Sequence, residues 1–556
     1  MREVHVLRAV IAAVVTGCLV LHVLTAIPQL GATTFDDAYM FIRYANNFLS
    51  GNGFSWNASD GPAYGATSTS YLFTVTAARG LFPLSDATVL TGLSFAAGLL
   101  SCVILVLAGF LYGNHLRKSW IPLLIIPVMI LGGAFRFHSL TGMETTISLL
   151  GNSVFVLFLL LYEKSPDKLK FFLLLASAYA SYLTRPDNGI YCLLLPPLFL
   201  RASGSMKKKQ CLLYVVLFGV IISADLLFKK ILFGSALPVP FYAKSTGFYQ
   251  GYSGLGNWNA IDYLIQFLRS SLPFLLAAVL LVTKQTARRI LGISLPILLT
   301  FIYFTTVIQI MGWEARYYYP SLPFFIMIAY VVLENHFKCS SPVNNNKLFQ
   351  VSSWRIMAAL FAVLLTTSPL ITRVASSAWE RYALKTVEYT PNTEHFTRST
   401  RDLPSLGWWE GITGISELLE KMPPGLVFAG SEYGFISSEN PDVTIIDMVG
   451  LHDISLARNG FSADYILSRN PDILWLPHSD YSYFRSDLID NEIFDTQYEY
   501  YPGVFNYGIA FNKNSEYFQQ IIEIMEDQFL QLYPGHLLED YKAIRTDREH
   551  PAVRLQ

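Results

Sequence analysis

The sequence predicts a polytopic α-helical membrane protein with a soluble α/β domain at its C-terminus. Three observations point there. Mean hydropathy is +0.38. Charged residues make up only 15% of the 556-residue chain, where soluble domains carry about 25%. Apolar stretches long enough to cross hydrocarbon, about 17–25 residues, recur as far as residue 374 and then stop.

Those stretches lie near 7–28, 86–112, 118–136, 143–162, 169–184, 187–201, 211–233, 263–283, 288–311, 317–334 and 354–374, about eleven spans at the length a bilayer requires. The fifth and sixth are short and separated only by Arg185-Pro186-Asp187, so they can also be one broken helix. Tyr71 to Phe82 is too short to span and is expected to be an interfacial or re-entrant helix. Basic residues set the orientation. Arg117-Lys118, then Lys164, Lys168 and Lys170, then Arg201 with Lys207-Lys208-Lys209, then Lys284 with Arg288-Arg289, then Lys338 and Lys347 fall in every second loop. The N-terminus is therefore expected inside and the C-terminal region outside. The first span has no clear small-x-small site after it and is expected to stay as an anchor.

Beyond Thr372 the composition shifts to Asp, Glu, Asn, Tyr and Pro. Strand-like runs at Leu426 to Ala429, Val443 to Ile446 and Ile473 to Leu476 alternate with helical patterns at Ile412 to Met422, Ala463 to Ser468 and Glu516 to Leu532. The expected division is a transmembrane module at 1–375, with a first outer loop at 29–85, and an extracytoplasmic α/β domain at 376–556. Net charge is −1, so no global field favours nucleic acid. The sequence has no GxGxxG after a strand and no P-loop, so no nucleotide site is expected. Of the five cysteines, Cys18, Cys102, Cys192 and Cys211 sit in apolar runs and Cys339 in an inner loop. They read as small core hydrophobes, with no thiolate metal site.

The functional signal is a placement. Asp36, Asp37, Arg43, Arg136, Glu144, Arg185, Asp187, Lys244, Glu314 and Arg316 all fall at span ends predicted to face away from the cytoplasm. Charge at membrane depth is expensive and marks function by default. Adjacent carboxylates at Asp36-Asp37 suit a base and its helper, since crowding raises the apparent pKa of one member; capping the helix that follows is the bland alternative. Arg and Lys are the natural binders of phosphate. Their bland alternative is interfacial anchoring among Tyr and Trp.

These residues also carry a resemblance. Asp36-Asp37-Ala38-Tyr39 through Gly51-Asn52-Gly53-Phe54-Ser55-Trp56-Asn57 is similar to the first outer loop of bacterial GT-C glycosyltransferases. Within them it most resembles the terminal arabinofuranosyltransferases of the actinobacterial cell wall and their relatives. Gly65-Ala66-Thr67-Ser68, Gly142-Met143-Glu144-Thr145, Arg185-Pro186-Asp187, Pro240 to Lys244, Arg316-Tyr317 to Pro320 and Ile446 to Asp453 follow the family's pattern in order. The resemblance implies a GT-C fold in a bacterial inner membrane, with the C-terminal domain periplasmic. It also implies a donor in which a sugar, arabinofuranose or a similar pentose or hexose, is linked to polyprenyl phosphate. The acceptor would be an envelope glycan or glycoconjugate. Asp36 and Asp37 would then be catalytic, Lys244, Arg185 and Arg316 would hold the donor phosphate, and Tyr39, Arg43, Glu144, Asp187, Glu314 and Tyr317 would line the substrate site. No cofactor is required, although Asp36-Asp37 could take a divalent cation. A lipid-glycan transporter or export factor without catalysis is the competing expectation; against it, the chain shows no two-fold internal repeat.

Overall fold

A run of Leu, Val, Ile and Ala inside hydrocarbon can satisfy its backbone only within itself, and so becomes a helix. The computed structural model describes residues 2–245, 258–339, 396–397, 403–478 and 481–545. Among them, seven helices are long and apolar enough to cross a membrane. In chain order the helices begin with α1 (Arg2–Ala26), α2 (Asp36–Leu49), α3 (Thr69–Leu81), α4 (Asp86–Tyr112), α5 (Asn114–Ser119), α6 (Ile125–Leu131) and α7 (Gly133–His138). Then come α8 (Thr145–Lys164), α9 (Lys168–Thr184), α10 (Gly189–Ala202), α11 (Lys208–Phe233), α12 (Val239–Ser245), α13 (Trp258–Leu281), α14 (Lys284–Thr305) and α15 (Leu322–Cys339).

Packing divides the chain into two units. The first comprises Met1–Ala38, Thr67–Ala236 and Leu255–Thr386. In it α4 packs along α8, α8 along α9, α10 against α14 and α13 against α15. The core between them holds Leu105, Phe155, Leu159, Phe199, Phe324 and Met327. One sequence expectation changes here. The stretch expected as a span at 118–136 is broken into a 3-10 turn at Ile121–Leu124, α6 and α7, with Gly132 extended between the last two. The pair expected at 169–184 and 187–201 is two helices, because Pro186 forces Arg185 into extended backbone (φ −159°, ψ 129°). The run at 354–374 lies outside the described residues. α3 is 13 residues long, about 20 Å at 1.5 Å per residue, too short to span.

The second unit comprises Tyr39–Ala66, Leu237–Gly254 and Val387–Gln556. The sequence placed its start at 376 and kept the whole first outer loop with the helices. By packing, Tyr39–Ala66 and Leu237–Gly254 group with the C-terminal residues. Its sheet has strands β1 (Val427–Gly430), β2 (Thr444–Asp447), β3 (Ile473–Trp475), β4 (Tyr498–Tyr501) and β5 (Ile509–Asn512). Their spatial order is β2-β1-β3-β5-β4. β1 is parallel to β2 and β3, with Val427 opposite Thr444 and Phe428 opposite Ile473. β5 is antiparallel to β3 and β4. Helices α16 (Trp408–Glu420), α17 (Gly434–Glu439), α18 (Ile454–Asn459), α19 (Ala463–Ser468), α20 (Ser482–Ile489), α21 (Glu492–Gln497) and α22 (Phe518–Leu532) connect and cover it. The mostly apolar, buried residues of the parallel strands β1, β2 and β3 suit a sheet covered on both faces.

Arg43 fastens Tyr39–Ala66 within this unit. Its Nε donates to Trp56 O at 2.8 Å, Nη1 to Ser437 O and Asn440 O, both at 2.9 Å, and Nη2 to Val443 O at 2.8 Å and Asn57 Oδ1 at 3.1 Å. Nearby, Trp56 stacks on His452 at 3.7 Å with the rings 2° apart, and Tyr44 Oη lies 2.9 Å from His452 Nδ1. Gly65 passes so close that a Cβ there would meet His452 Nδ1 at 2.1 Å.

Candidate active site

In the first unit, three chain segments bring charge together. The first is the turn before α8. Gly142 has φ +73°, and a Cβ there would meet Leu90 Cβ at 2.9 Å, so glycine is required. Tyr71 Oη donates to Gly142 O at 2.5 Å and Ser94 Oγ to Met143 O at 3.0 Å. Thr33 Oγ1 donates to Thr141 O at 2.9 Å, tying the same turn to the chain that enters α2. The turn delivers Glu144, 2% exposed, to the head of α8.

The second segment is the break after α9. Arg185 chelates Asp187 with Nε and Nη2, both at 3.1 Å, places Nη1 3.6 Å from Glu144 Oε1, and lies over the Tyr317 ring at 5.2 Å. The third is the turn ahead of α15. Arg316 Nη2 donates to both oxygens of Glu144 at 3.2 Å. Its Nη1 is 3.6 Å from Asp37 Oδ2, beyond hydrogen-bond range. Arg316 Nε and Nη1 are buried and have no hydrogen-bond partner. The Oγ1 atoms of Thr145 and Thr146, next to Glu144, are buried without a partner too. The cluster thus joins two guanidiniums to three carboxylates, with one negative charge in excess.

Asp36 and Asp37 open α2, where the helix dipole favours negative charge. Neighbours on a helix diverge by about 100°, and these two do different things: Asp36 is buried at 2%, while Asp37 is partly exposed beside Arg316. Among the residues expected at the site, Asp37, Glu144, Arg185, Asp187, Arg316 and Tyr317 come together. Tyr39 packs in the second unit, with its ring 5.0 Å from Phe435 and 6.1 Å from Trp409. Arg43, expected at the substrate, has all three guanidinium nitrogens on protein acceptors. Lys244 belongs to α12 of the second unit, at half-burial. Glu314 faces a different cavity of about 390 Å³ with Gln266, Arg269 and Ser270. Among the described residues, no group of three or more His, Cys, Asp or Glu could hold a metal ion.

The chain is similar to ArnT from Cupriavidus metallidurans. The apo crystal structure of that protein aligns with a TM-score of 0.47 and 12% identity, over 89% of this chain and 98% of that one. The structure bound to undecaprenyl phosphate aligns with a TM-score of 0.49 and 12% identity, over 90% and 99%. No protein-family model matches the chain, and no curated protein matches it.

Sequence reasoning missed the polar groups inside the apolar runs. Asn152 of α8 donates to Pro320 O at 2.7 Å and to Asn188 Oδ1 at 3.1 Å, and accepts from Ser181 Oγ at 2.5 Å. Asn188 in turn donates to Ser148 Oγ at 2.9 Å. This knot holds together the three segments that carry Glu144, Arg185 and Arg316. An amide in the middle of a span was the available signal. Also missed was Asp225 with Lys229 on α11, a buried pair at 2.7 Å that receives the hydroxyls of Tyr179 and Tyr182.

Proposed function

We propose that the protein is a membrane glycosyltransferase of the GT-C type. It would move a sugar from a polyprenyl-phosphate donor to an envelope glycan or glycoconjugate on the outer side of the membrane. The observation that carries this is Arg316: a buried guanidinium with Nε and Nη1 unbonded, beside a partly exposed carboxylate. Unpaired buried donors are costly, and a phosphate oxygen is the acceptor that fits them best. The ordered set of family-like motifs supports the same chemistry. Nucleotide sugars do not reach an outward site, whereas a lipid-linked donor diffuses to it within the bilayer.

In this reaction the acceptor hydroxyl gives its proton to Asp37 as its oxygen bonds the anomeric carbon. The bond from that carbon to the phosphate oxygen breaks, and the electron pair leaves with the phosphate. Arg316 stabilises the charge that develops there, the electrostatic contribution that dominates many transfer reactions. Arg185 keeps Asp187 and Glu144 in place around it. A divalent cation at Asp36-Asp37 is not needed if the guanidiniums balance the leaving group. Arabinofuranose is the sugar that the motif resemblance favours.

The test is transfer from radiolabelled polyprenyl-phospho-sugars in membranes carrying the parent, Asp37→Asn or Asp36→Asn. Proton transfer by a positioned side chain is worth roughly 10²–10⁴ in rate. Asp37→Asn should lose at least that lower figure while still inserting and binding donor, and Asp36→Asn should show a smaller, stability-linked defect. Wild-type transfer by both variants would sink the mechanism.

A further inference from the structure

Arg316 leaves a backbone that does not favour its own shape. Met311, Glu314 and Ala315 have φ of 53°, 50° and 59°. Three non-glycine residues in the left-handed region within five positions persist only where their surroundings hold them. Local bonds do part of this: Arg316 N donates to Gly312 O and Trp313 O at 3.2 Å, and Tyr318 N to Ala315 O at 2.8 Å. One side-chain bond comes from far along the chain. His138 Nε2 lies 2.9 Å from the carbonyl oxygen of Glu314, in the middle of the strained turn. A carbonyl only accepts, so Nε2 carries the proton and donates.

His138 is built for one position. It is the last residue of α7 and is 1% exposed. Its ring is wedged between Tyr319 at 4.9 Å and Phe137 at 5.2 Å. Its donor therefore cannot follow the turn if the turn relaxes. We propose that His138 is a positioning residue: it holds the 311–316 turn left-handed and so aims Arg316 at Glu144 and at the donor phosphate. It does not touch the reacting atoms. This rests on the glycosyl-transfer function proposed above.

The contact maintains strain rather than relieving it, which separates the role from ordinary structural support. Without the bond the turn can settle into commoner backbone while the fold survives, and only the aim of Arg316 is lost.

The experiment uses the full-length protein in detergent and measures three quantities: affinity for radiolabelled polyprenyl phosphate, donor KM against kcat, and melting temperature. The variants are His138→Leu, His138→Gln, Arg316→Ala and the double variant with His138→Leu. His138→Leu should weaken lipid-phosphate binding and raise donor KM roughly tenfold, the scale of one charge-assisted hydrogen bond, with no fall in melting temperature. His138→Gln, whose amide nitrogen can reach the same carbonyl, should recover most of the loss. The double variant should bind no worse than Arg316→Ala alone, because the two share one interaction. If Arg316→Ala loses affinity and His138→Leu does not, the positioning role is overturned and the phosphate site stands. A lowered melting temperature at unchanged affinity makes His138 merely structural and overturns it as well. If Arg316→Ala binds as the parent does, the phosphate site falls and the positioning role falls with it.

Discussion

Glu144→Gln is the sharpest perturbation available at the charge cluster. It keeps shape and removes one charge from the group that two arginines share. Arg185 retains its two 3.1 Å bonds to Asp187, so it stays compensated. Arg316 loses both 3.2 Å contacts as charged pairs and keeps only Asp37 at 3.6 Å. Breaking one side of a buried pair costs about 3–5 kcal/mol. The glutamine oxygen still accepts one bond from Nη2, which returns about 1 kcal/mol, leaving a loss of about 2–4 kcal/mol. The same change frees Arg316 for a phosphate, so ligand should stabilise the variant more than the parent. A ligand at a hundred times its Kd contributes about 2.7 kcal/mol, enough to offset most of the defect. The assay is a thermal melt of purified protein in detergent, with and without polyprenyl phosphate. A lower melting temperature that the lipid largely restores is expected. If the variant melts with the parent, Glu144 does not hold Arg316. If it melts early and the lipid does nothing, Arg316 does not meet phosphate.

Three further outcomes are expected. Gly142→Ala should cost about 2–4 kcal/mol, from left-handed backbone at about 1 kcal/mol and a 2.9 Å contact with Leu90 Cβ that overpacks the turn. Gly61→Ala, at φ +75° with nothing within 4 Å, should cost only the backbone part; equal melting curves for the two would discredit the packing argument. In the second unit, burial raises Asp447 from 3.8 to about 6. Burial, then Arg43, holds His452 well below 6.5. The stability from Asp447 is full below pH 3.8 and lost as pH rises through 6, whereas that from His452 is present above pH 6.5 and lost as pH falls, so near pH 5 the two slopes cancel. Asp447→Asn should therefore make stability fall from pH 7 to pH 5 by up to about 1.4 kcal/mol per unit relative to the parent; parallel melting curves would contradict this. Finally, a reporter fused after Leu532 should be active outside and one fused after Lys208 inside, and the opposite pattern would invert the topology.

What the sequence made legible follows the reach of each signal. Spans and strands are local patterns: Ala463 to Ser468 forms α19 as its periodicity suggests, and the runs at 426, 443 and 473 form β1, β2 and β3 within a residue or two. β4 and β5 were missed because Tyr498-Glu499-Tyr500-Tyr501 and Ile509 to Asn512 carry little aliphatic alternation and depend on pairing with each other. The break in 118–136 was written in Gly132-Gly133, which hydropathy averages away. At the site, charge at span ends pointed to Glu144, Arg185 and Arg316. It could not tell Arg316, with unbonded donors, from Arg43, whose acceptors include three carbonyls about 400 positions away. Backbone acceptors leave no trace in side-chain chemistry. For the same reason His138 gave no signal.

The Asn152 amide has a consequence for how the protein is made. Its acceptor Pro320 O lies 168 positions further along the chain. At about 5–20 residues per second, synthesis takes roughly ten to thirty seconds to cover that stretch. Throughout, α8 and α9 can already sit in the bilayer with this amide short of one partner. Ser181 and Asn188 arrive early and shelter it in part; the turn before α15 arrives last and closes the group. Assembly is thereby given a direction, with the segment that carries Arg316 docking onto a polar seat prepared before it was translated.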